Sequence, residues 1–194
     1  MMPGNASAPP PPFEETEGSR LLERHASRGS ALDSHPQLRL FMTCWLDTFL
    51  VKGLVDPQLR QLTILRVAWR CGQPFEWANH YRRARAEGLS DDDILSIRTD
   101  QPPRDLEGPR RTVVRAADEV VDLGYLSPDT YAACGEVFTE PAVLHEFLHL
   151  VAGYRMIATI LNTTRPSVAE AGLPWWPPDG RGPARSSMSR RETT

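Results

Sequence analysis

The chain has 194 residues, and 40% of them are hydrophobic, which is enough to bury a core. Its formal net charge of −3 argues against nucleic acid and anionic membranes as partners. No run of 18 apolar residues and no leader-like apolar segment is present, so neither a membrane span nor a secretory signal is predicted.

The three cysteines, Cys44, Cys71 and Cys134, are widely spaced along the chain. This spacing is typical neither of a disulfide framework nor of a zinc cluster, and it favours a reducing compartment. We therefore predict a cytoplasmic protein.

The composition divides the chain into three parts. Residues 1–18 and 177–194 are rich in proline and poor in large apolar side chains, so both are predicted to be disordered tails. Residues 19–176 are predicted to form a single domain.

Helical signals occupy the chain between the tails, and no segment alternates apolar and polar residues as a strand would. Asp56 followed by Pro57 begins one helix, and Gly72, Gly88 and Gly124 end three of them. An all-α fold of about seven helices is expected, and the predicted segments are 35–53, 56–72, 73–88, 90–98, 108–124, 127–138 and 139–165.

The last predicted helix contains the sequence HEFLH, which can be part of a zinc-hydrolase site. In such a site His145 and His149 would bind the metal, and Glu146 would act as base for the bound water. A third ligand is hard to find, since position 155 is Arg and Glu170 lies beyond the helix. The motif is therefore interpreted as a half-exposed helix edge, with a zinc hydrolase kept as a minor alternative.

A second pair, in QPFEWANH, places a carboxylate and an imidazole on one helix face. Glu76 and His80 are one turn apart, so the carboxylate could orient the ring and leave one nitrogen to move a proton at neutral pH. From spacing alone, such a pair is more often part of a solvated surface.

The stretch DPQLRQLTILRVAWRCGQPFEWANHYRRARAEGLSDDDI resembles the carboxymuconolactone decarboxylase family, which includes alkylhydroperoxidase D. The resemblance covers about residues 36–165, is strongest over 56–94, and extends to GYRMIATILNT near the C-terminal end. It implies an all-α, orthogonal multi-helix bundle that assembles as a homo-oligomer, a trimer or hexamer, with sites between helices and subunits.

The redox branch of this family uses a glutamate, a Cys-x-x-Cys pair and a histidine. At the matching positions this chain has Gln61, Gln73, Glu76 and His80, so only the histidine is retained. Disulfide exchange needs two sulfurs, which predicts that the protein is not a dithiol peroxidase. Cys71 has no neighbouring cysteine and is interpreted as a packed thiol.

The decarboxylase branch carries a Glu-x-x-x-His arrangement, which Glu76 and His80 resemble. The resemblance implies that His80 shuttles a proton and that Glu76 orients it or acts as base, with no metal and no organic cofactor. Arg66 and Arg70, one turn apart on the preceding helix, are candidates for binding a substrate carboxylate; a solvated or subunit-facing edge is the equal alternative.

Further substrate-binding candidates are Gln61, Gln73, Trp77 and Tyr154. Core packing is as good an interpretation of Trp77, whereas Tyr154 matches a position typical of the family. Trp175 and Trp176 follow the last helix and are interpreted as a surface anchor, with a lid over a neighbouring pocket as the alternative.

Two classes of function remain open from the sequence. The first is a cofactor-free acid–base enzyme that decarboxylates, isomerises or cyclises a small unsaturated or aromatic acid or a related metabolite, with Glu76 and His80 at its centre. The second is a non-catalytic helical oligomer or ligand-binding protein, which Gln61 favours because an amide replaces an acid there.

Overall fold

The computed structural model describes residues 16–25, 34–99, 106–168 and 181–183. Within these ranges the chain forms eight α-helices and no strand, which confirms the all-α prediction. The helices are α1 (Glu17–His25), α2 (Pro36–Leu46), α3 (Pro57–Arg70), α4 (Pro74–Ala86), α5 (Asp91–Ser96), α6 (Gly108–Asp122), α7 (Pro128–Val137) and α8 (Pro141–Thr164). A π-helical turn, Asp47–Val51, continues α2. None of the described helices is long and apolar enough to cross a membrane.

The chain divides into two compact units, residues 1–52 and 53–194. The single domain over residues 19–176 stays a prediction. The first unit contains α1, α2 and the π-helical turn, and the second contains α3 to α8. The helices of the second unit were all expected, as was α2. Most of the predicted tails, and Trp175 and Trp176, lie outside the described residues.

Helix α1 was not among the predicted helices, and its first two residues fall within the predicted tail 1–18. Thr16 and Ser19 cap its start reciprocally: each backbone N–H donates to the other's hydroxyl oxygen, at 3.0 and 3.1 Å. A Cβ at Gly18 would lie 2.6 Å from both Asp47 Cγ and Thr43 O, so glycine permits the close approach of α1 to the end of α2.

Helix α3 is the central helix of the second unit and packs against α4, α6 and α8. Asp56 caps it by accepting hydrogen bonds from two backbone N–H groups. At its other end Gly72 adopts φ 62°, a left-handed conformation that suits glycine and turns the chain back into α4. Most of α3 is buried, including polar side chains, so each of these needs a partner on a neighbouring element.

An ion pair between α3 and α6 provides the partner for a buried arginine of α3. Arg66, which is fully buried, donates through Nε to Asp118 Oδ1 at 2.7 Å and through Nη2 to Oδ2 at 2.9 Å. Its Nη1 donates to the carbonyl oxygens of Ile97 and Thr99, both at 2.6 Å. This bidentate pair therefore joins α3, α6 and the segment that follows α5.

Removal of the Asp118 carboxylate should destabilise the second unit strongly. Asp118→Ala leaves the Arg66 charge buried without its counter-ion, so we expect the free energy of unfolding to fall by about 3–5 kcal/mol. Urea denaturation monitored by circular dichroism measures the loss.

Asp122→Ala is the matched control, because the Asp122 side chain is 52% exposed and pairs with Arg70 at the surface. It should cost about 1 kcal/mol or less. Equal losses in the two variants would contradict the structural importance of the buried pair.

Candidate functional site

Three of the predicted site residues, Gln61, Glu76 and Tyr154, surround the imidazole of a fourth, His80, which is only 1% exposed. Its Nδ1 lies 2.8 Å from Gln61 Oε1. Its Nε2 lies 3.1 Å from the Tyr154 hydroxyl and 3.3 Å from Glu76 Oε2. The ring also packs edge-on against Tyr154, with centroids 5.2 Å apart. Both ring nitrogens are therefore engaged by polar groups.

Three helices supply these groups. Glu76 and His80 are one turn apart on α4, as the spacing predicted. Because the turn at Gly72 makes α3 and α4 antiparallel neighbours, Gln61 on α3 comes to lie beside His80. Tyr154 comes from α8, which packs against α3.

Burial controls the protonation of the site. Desolvation lowers the pKa of His80 below its usual value, against the opposing effects of the hydrogen bond and charge of Glu76. Burial also raises the pKa of Tyr154 well above its usual value, and the charge of Glu76 adds to this. The imidazole is consequently neutral at pH 7, and the phenol keeps its proton.

Two charged residues that the sequence analysis missed lie behind Gln61. Glu87 Oε1 accepts a hydrogen bond from Gln61 Nε2 at 3.2 Å and another from Arg60 Nη2 at 3.1 Å. The short connection at Gly72 and Gln73 predicted that α4 folds back against α3, but neither it nor the family resemblance identified residues 60 and 87. Their charges gave no signal because charged residues on helices are usually solvated.

Some buried polar atoms near this cluster have no hydrogen-bond partner among the described residues. They are Asn79 Oδ1 on α4, Arg60 Nε and Glu87 Oε2. Asn79 immediately precedes His80 and is itself buried. Buried polar atoms without partners are uncommon, which makes these atoms candidates for contact with a bound molecule.

Gln73 has a structural position, not one beside His80. Its side-chain oxygen caps α4 by accepting from the backbone N–H groups of Phe75 at 2.6 Å and Glu76 at 3.4 Å. Its nitrogen donates to Asn162 Oδ1 on α8 at 3.2 Å. These bonds use both ends of the amide, so the Gln73 side chain stabilises the start of α4 and its contact with α8.

Trp77 is part of the hydrophobic core. Its ring packs against those of Trp69 and Tyr81, with centroid distances of 5.3 and 5.8 Å, and it is fully buried. This environment agrees with core packing, one of the two interpretations of Trp77 from the sequence.

The structure does not bring the two predicted carboxylate-binding arginines to His80. Arg66 is held by Asp118, as described above, and Arg70 donates to Asp118 and to both oxygens of Asp122. The cations whose charges act on the site are others: Arg83 lowers the pKa of His80 and of Tyr154, and Arg60 also lowers that of Tyr154.

The HEFLH motif makes structural contacts. Glu146 accepts hydrogen bonds from the backbone N–H groups of Leu54, at 2.8 Å to either oxygen, and Val55, at 3.0 Å. His149 Nδ1 lies 2.7 Å from the His145 carbonyl oxygen on its own helix. No three His, Cys, Asp or Glu side chains are grouped at metal-binding distances in the described part of the chain.

The three cysteines are free thiols at separate places in the chain. Burial raises the pKa of Cys71, and it raises that of Cys134 to about 11, with a further contribution from Glu119. Both therefore carry little thiolate at neutral pH.

Comparison with known protein families gives a match that covers part of the chain. The model of the Carboxymuconolactone decarboxylase family matches residues 37–119, and this family has an alkylhydroperoxidase D-like helical fold. Comparisons with curated proteins and with solved structures gave no match. The matched segment contains Gln61, Glu76, His80 and Glu87, and it ends before α8. The model of this family thus matches the chain over residues 37–119, which confirms the predicted resemblance for that segment.

Proposed function

We propose that this protein is an acid–base enzyme in which Glu76 and His80 move a proton on a small unsaturated or aromatic acid or a related metabolite, without a cofactor. The observation that carries the proposal is the buried, neutral imidazole whose Nε2 faces a carboxylate at 3.3 Å and a phenol at 3.1 Å. The lone pair of a neutral imidazole can accept a proton and give it back during a reaction.

Burial assigns different roles to the two groups. The Glu76 side chain is 10% exposed and is the most accessible member of the site, since His80 and Tyr154 are almost completely enclosed. We therefore propose that Glu76 contacts the substrate and that His80 holds the proton behind it. Glu76 takes a proton from carbon, passes it to His80 Nε2, and its restored negative charge stabilises the imidazolium.

This pair suits the two reactions that the family resemblance implies. In an isomerisation, the proton taken from one carbon of an unsaturated acid returns to another carbon. In a decarboxylation, the bond to the carboxylate breaks and its electron pair moves into a conjugated carbonyl group. Glu76 and His80 take up a proton from solvent and deliver it to the carbon that lost carbon dioxide. The Tyr154 hydroxyl, 3.1 Å from His80 Nε2, holds the imidazole in position for this transfer.

The cations beside the site are candidates for attracting a substrate carboxylate. Arg60 and Arg83 act electrostatically on its members, so we propose them in place of Arg66 and Arg70 as the cations that attract a carboxylate. Asn79, whose side-chain oxygen has no partner among the described residues, is a candidate acceptor for a substrate hydroxyl group.

Binding without catalysis is the alternative that Gln61 favours, because an amide cannot exchange a proton as a carboxylate can. Assembly as a homo-oligomer, a trimer or hexamer, remains a proposal that rests on the family resemblance, and light scattering on the purified protein tests it. The cytoplasmic location likewise remains a prediction.

One prediction of the proposed function concerns proton transfer to carbon. Purified protein in D₂O is incubated with a panel of unsaturated lactone acids and open-chain unsaturated acids, and NMR measures deuterium at carbon and release of carbon dioxide. His80→Ala should lower the rate by about two orders of magnitude or more, because the proton carrier is lost. Glu76→Gln should lower it as well.

His149→Ala is the control, since His149 is exposed and bonded to its own helix, and it should leave the rate unchanged. Normal exchange by the His80→Ala variant would rule out the proposed role. Saturable binding of a panel member by the wild type without any exchange would support the ligand-binding alternative.

A second prediction concerns the titration of His80. The hydrogen bond and charge of Glu76 both raise the pKa of His80, so Glu76→Gln should lower that pKa further below its already depressed value. NMR titration of the ring protons measures the change. Glu140→Gln is a suitable control because the Glu140 side chain makes no capping bond to α8. A rise in the pKa of His80 in the Glu76 variant would show that the two groups do not interact as described.

A further inference from the structure

We propose that Glu87, held by Arg60, is a positioning residue that determines through the Gln61 amide which nitrogen of His80 carries the proton. The inference rests on the proposed function, because it concerns the same imidazole. None of these three residues needs to touch the substrate for this role.

The first step is the orientation of the Gln61 amide. Glu87 Oε1 already accepts a hydrogen bond from Arg60 Nη2 at 3.1 Å, so it faces Gln61 as an acceptor. The amide nitrogen of Gln61 must therefore point toward Glu87, at 3.2 Å, and its oxygen must point toward His80. The reversed amide would set one oxygen against another.

The second step is the tautomer of His80. The Gln61 oxygen, 2.8 Å from Nδ1, can only accept, so Nδ1 must carry the hydrogen. A neutral imidazole has a single N–H, which leaves the lone pair on Nε2, where the Tyr154 hydroxyl can donate to it at 3.1 Å. The Glu76 carboxylate would accept a hydrogen from Nε2, but its contact, 3.3 Å, is longer than the 2.8 Å contact between Nδ1 and Gln61. The opposite tautomer would occupy Nε2 with a hydrogen and could not take up a proton there.

Arg60 completes this arrangement by fixing the acceptor. The Arg60 side chain is 7% exposed and the Glu87 side chain is 27% exposed. Glu87 has room to turn toward solvent, and its hydrogen bond from Arg60 keeps it facing Gln61. The Gln58 side chain also donates to the main-chain oxygen of Glu87 at 3.2 Å and holds its backbone. Glu87 therefore does not contact His80 itself and acts on the imidazole through the amide of Gln61.

The test is the ring tautomer of His80, measured by nitrogen-15 NMR on the labelled full-length protein at a pH where the ring is neutral. The wild type should show the protonated type of signal at Nδ1 and the unprotonated type at Nε2, and His80→Gln assigns both. Glu87→Ala frees the amide, and Gln61→Leu removes it, so each should abolish the preference for the Nδ1–H form.

Glu87→Gln provides the matched control. Its side-chain oxygen can still accept from Arg60 and Gln61, so the wild-type tautomer should be retained. If a reaction is found, Glu87→Ala should lower kcat with little change in KM, and Glu87→Gln should restore it. A purely structural role for Glu87 would lower stability and leave the tautomer unchanged.

Two results would overturn the inference: an Nε2–H tautomer in the wild type, or the wild-type tautomer in either Glu87→Ala or Gln61→Leu. Neither depends on enzyme activity. Normal deuterium exchange by His80→Ala would instead refute the proposed function and leave the tautomer measurement valid, so the two failures are distinguishable.

Discussion

The need to pair buried polar groups on a central helix governs the second unit of this protein. Helix α3 buries Arg60, Gln61 and Arg66 among apolar side chains, and such groups are costly without partners. Arg66 meets this need with Asp118 and is an anchor. One and a half turns earlier on the same helix, Arg60 and Gln61 meet it with Glu87 and His80, and this places the polar cluster of the candidate site.

The same burial explains why His80 is suited to proton transfer. Exposed histidines titrate near their usual pKa and exchange protons with water, whereas the pKa of His80 is lowered and its ring is surrounded by protein groups. Its proton therefore has defined partners: Gln61 on one side, Glu76 and Tyr154 on the other. At positions 73 and 76, which match the two cysteines in the redox branch of the family that the chain resembles, the chain has Gln and Glu.

The sequence predicted the local features well and the long-range pairings poorly. Caps, prolines and glycines located α2 to α8, and one-turn spacing put Glu76 beside His80, because both depend on neighbouring residues. Gln61 was identified by family resemblance, but its hydrogen bond to His80 required the fold. Arg66 and Arg70 looked available since periodicity cannot tell which charged residue has a buried counter-ion, and Asp118 lies on a distant segment. Helix α1 was missed because a short capped segment follows a proline-rich one.

Helix α8 is attached at both ends to the segments that flank α3. Near its start Glu146 binds the backbone of Leu54 and Val55, and near its end Asn162 donates to the Cys71 carbonyl oxygen at 2.7 Å. Tyr154 lies between these two attachments. A helix held at two points in this way resists sliding along its axis, which keeps the Tyr154 hydroxyl at the level of the His80 ring. The HEFLH motif thus contributes to the geometry of a ring more than two turns away.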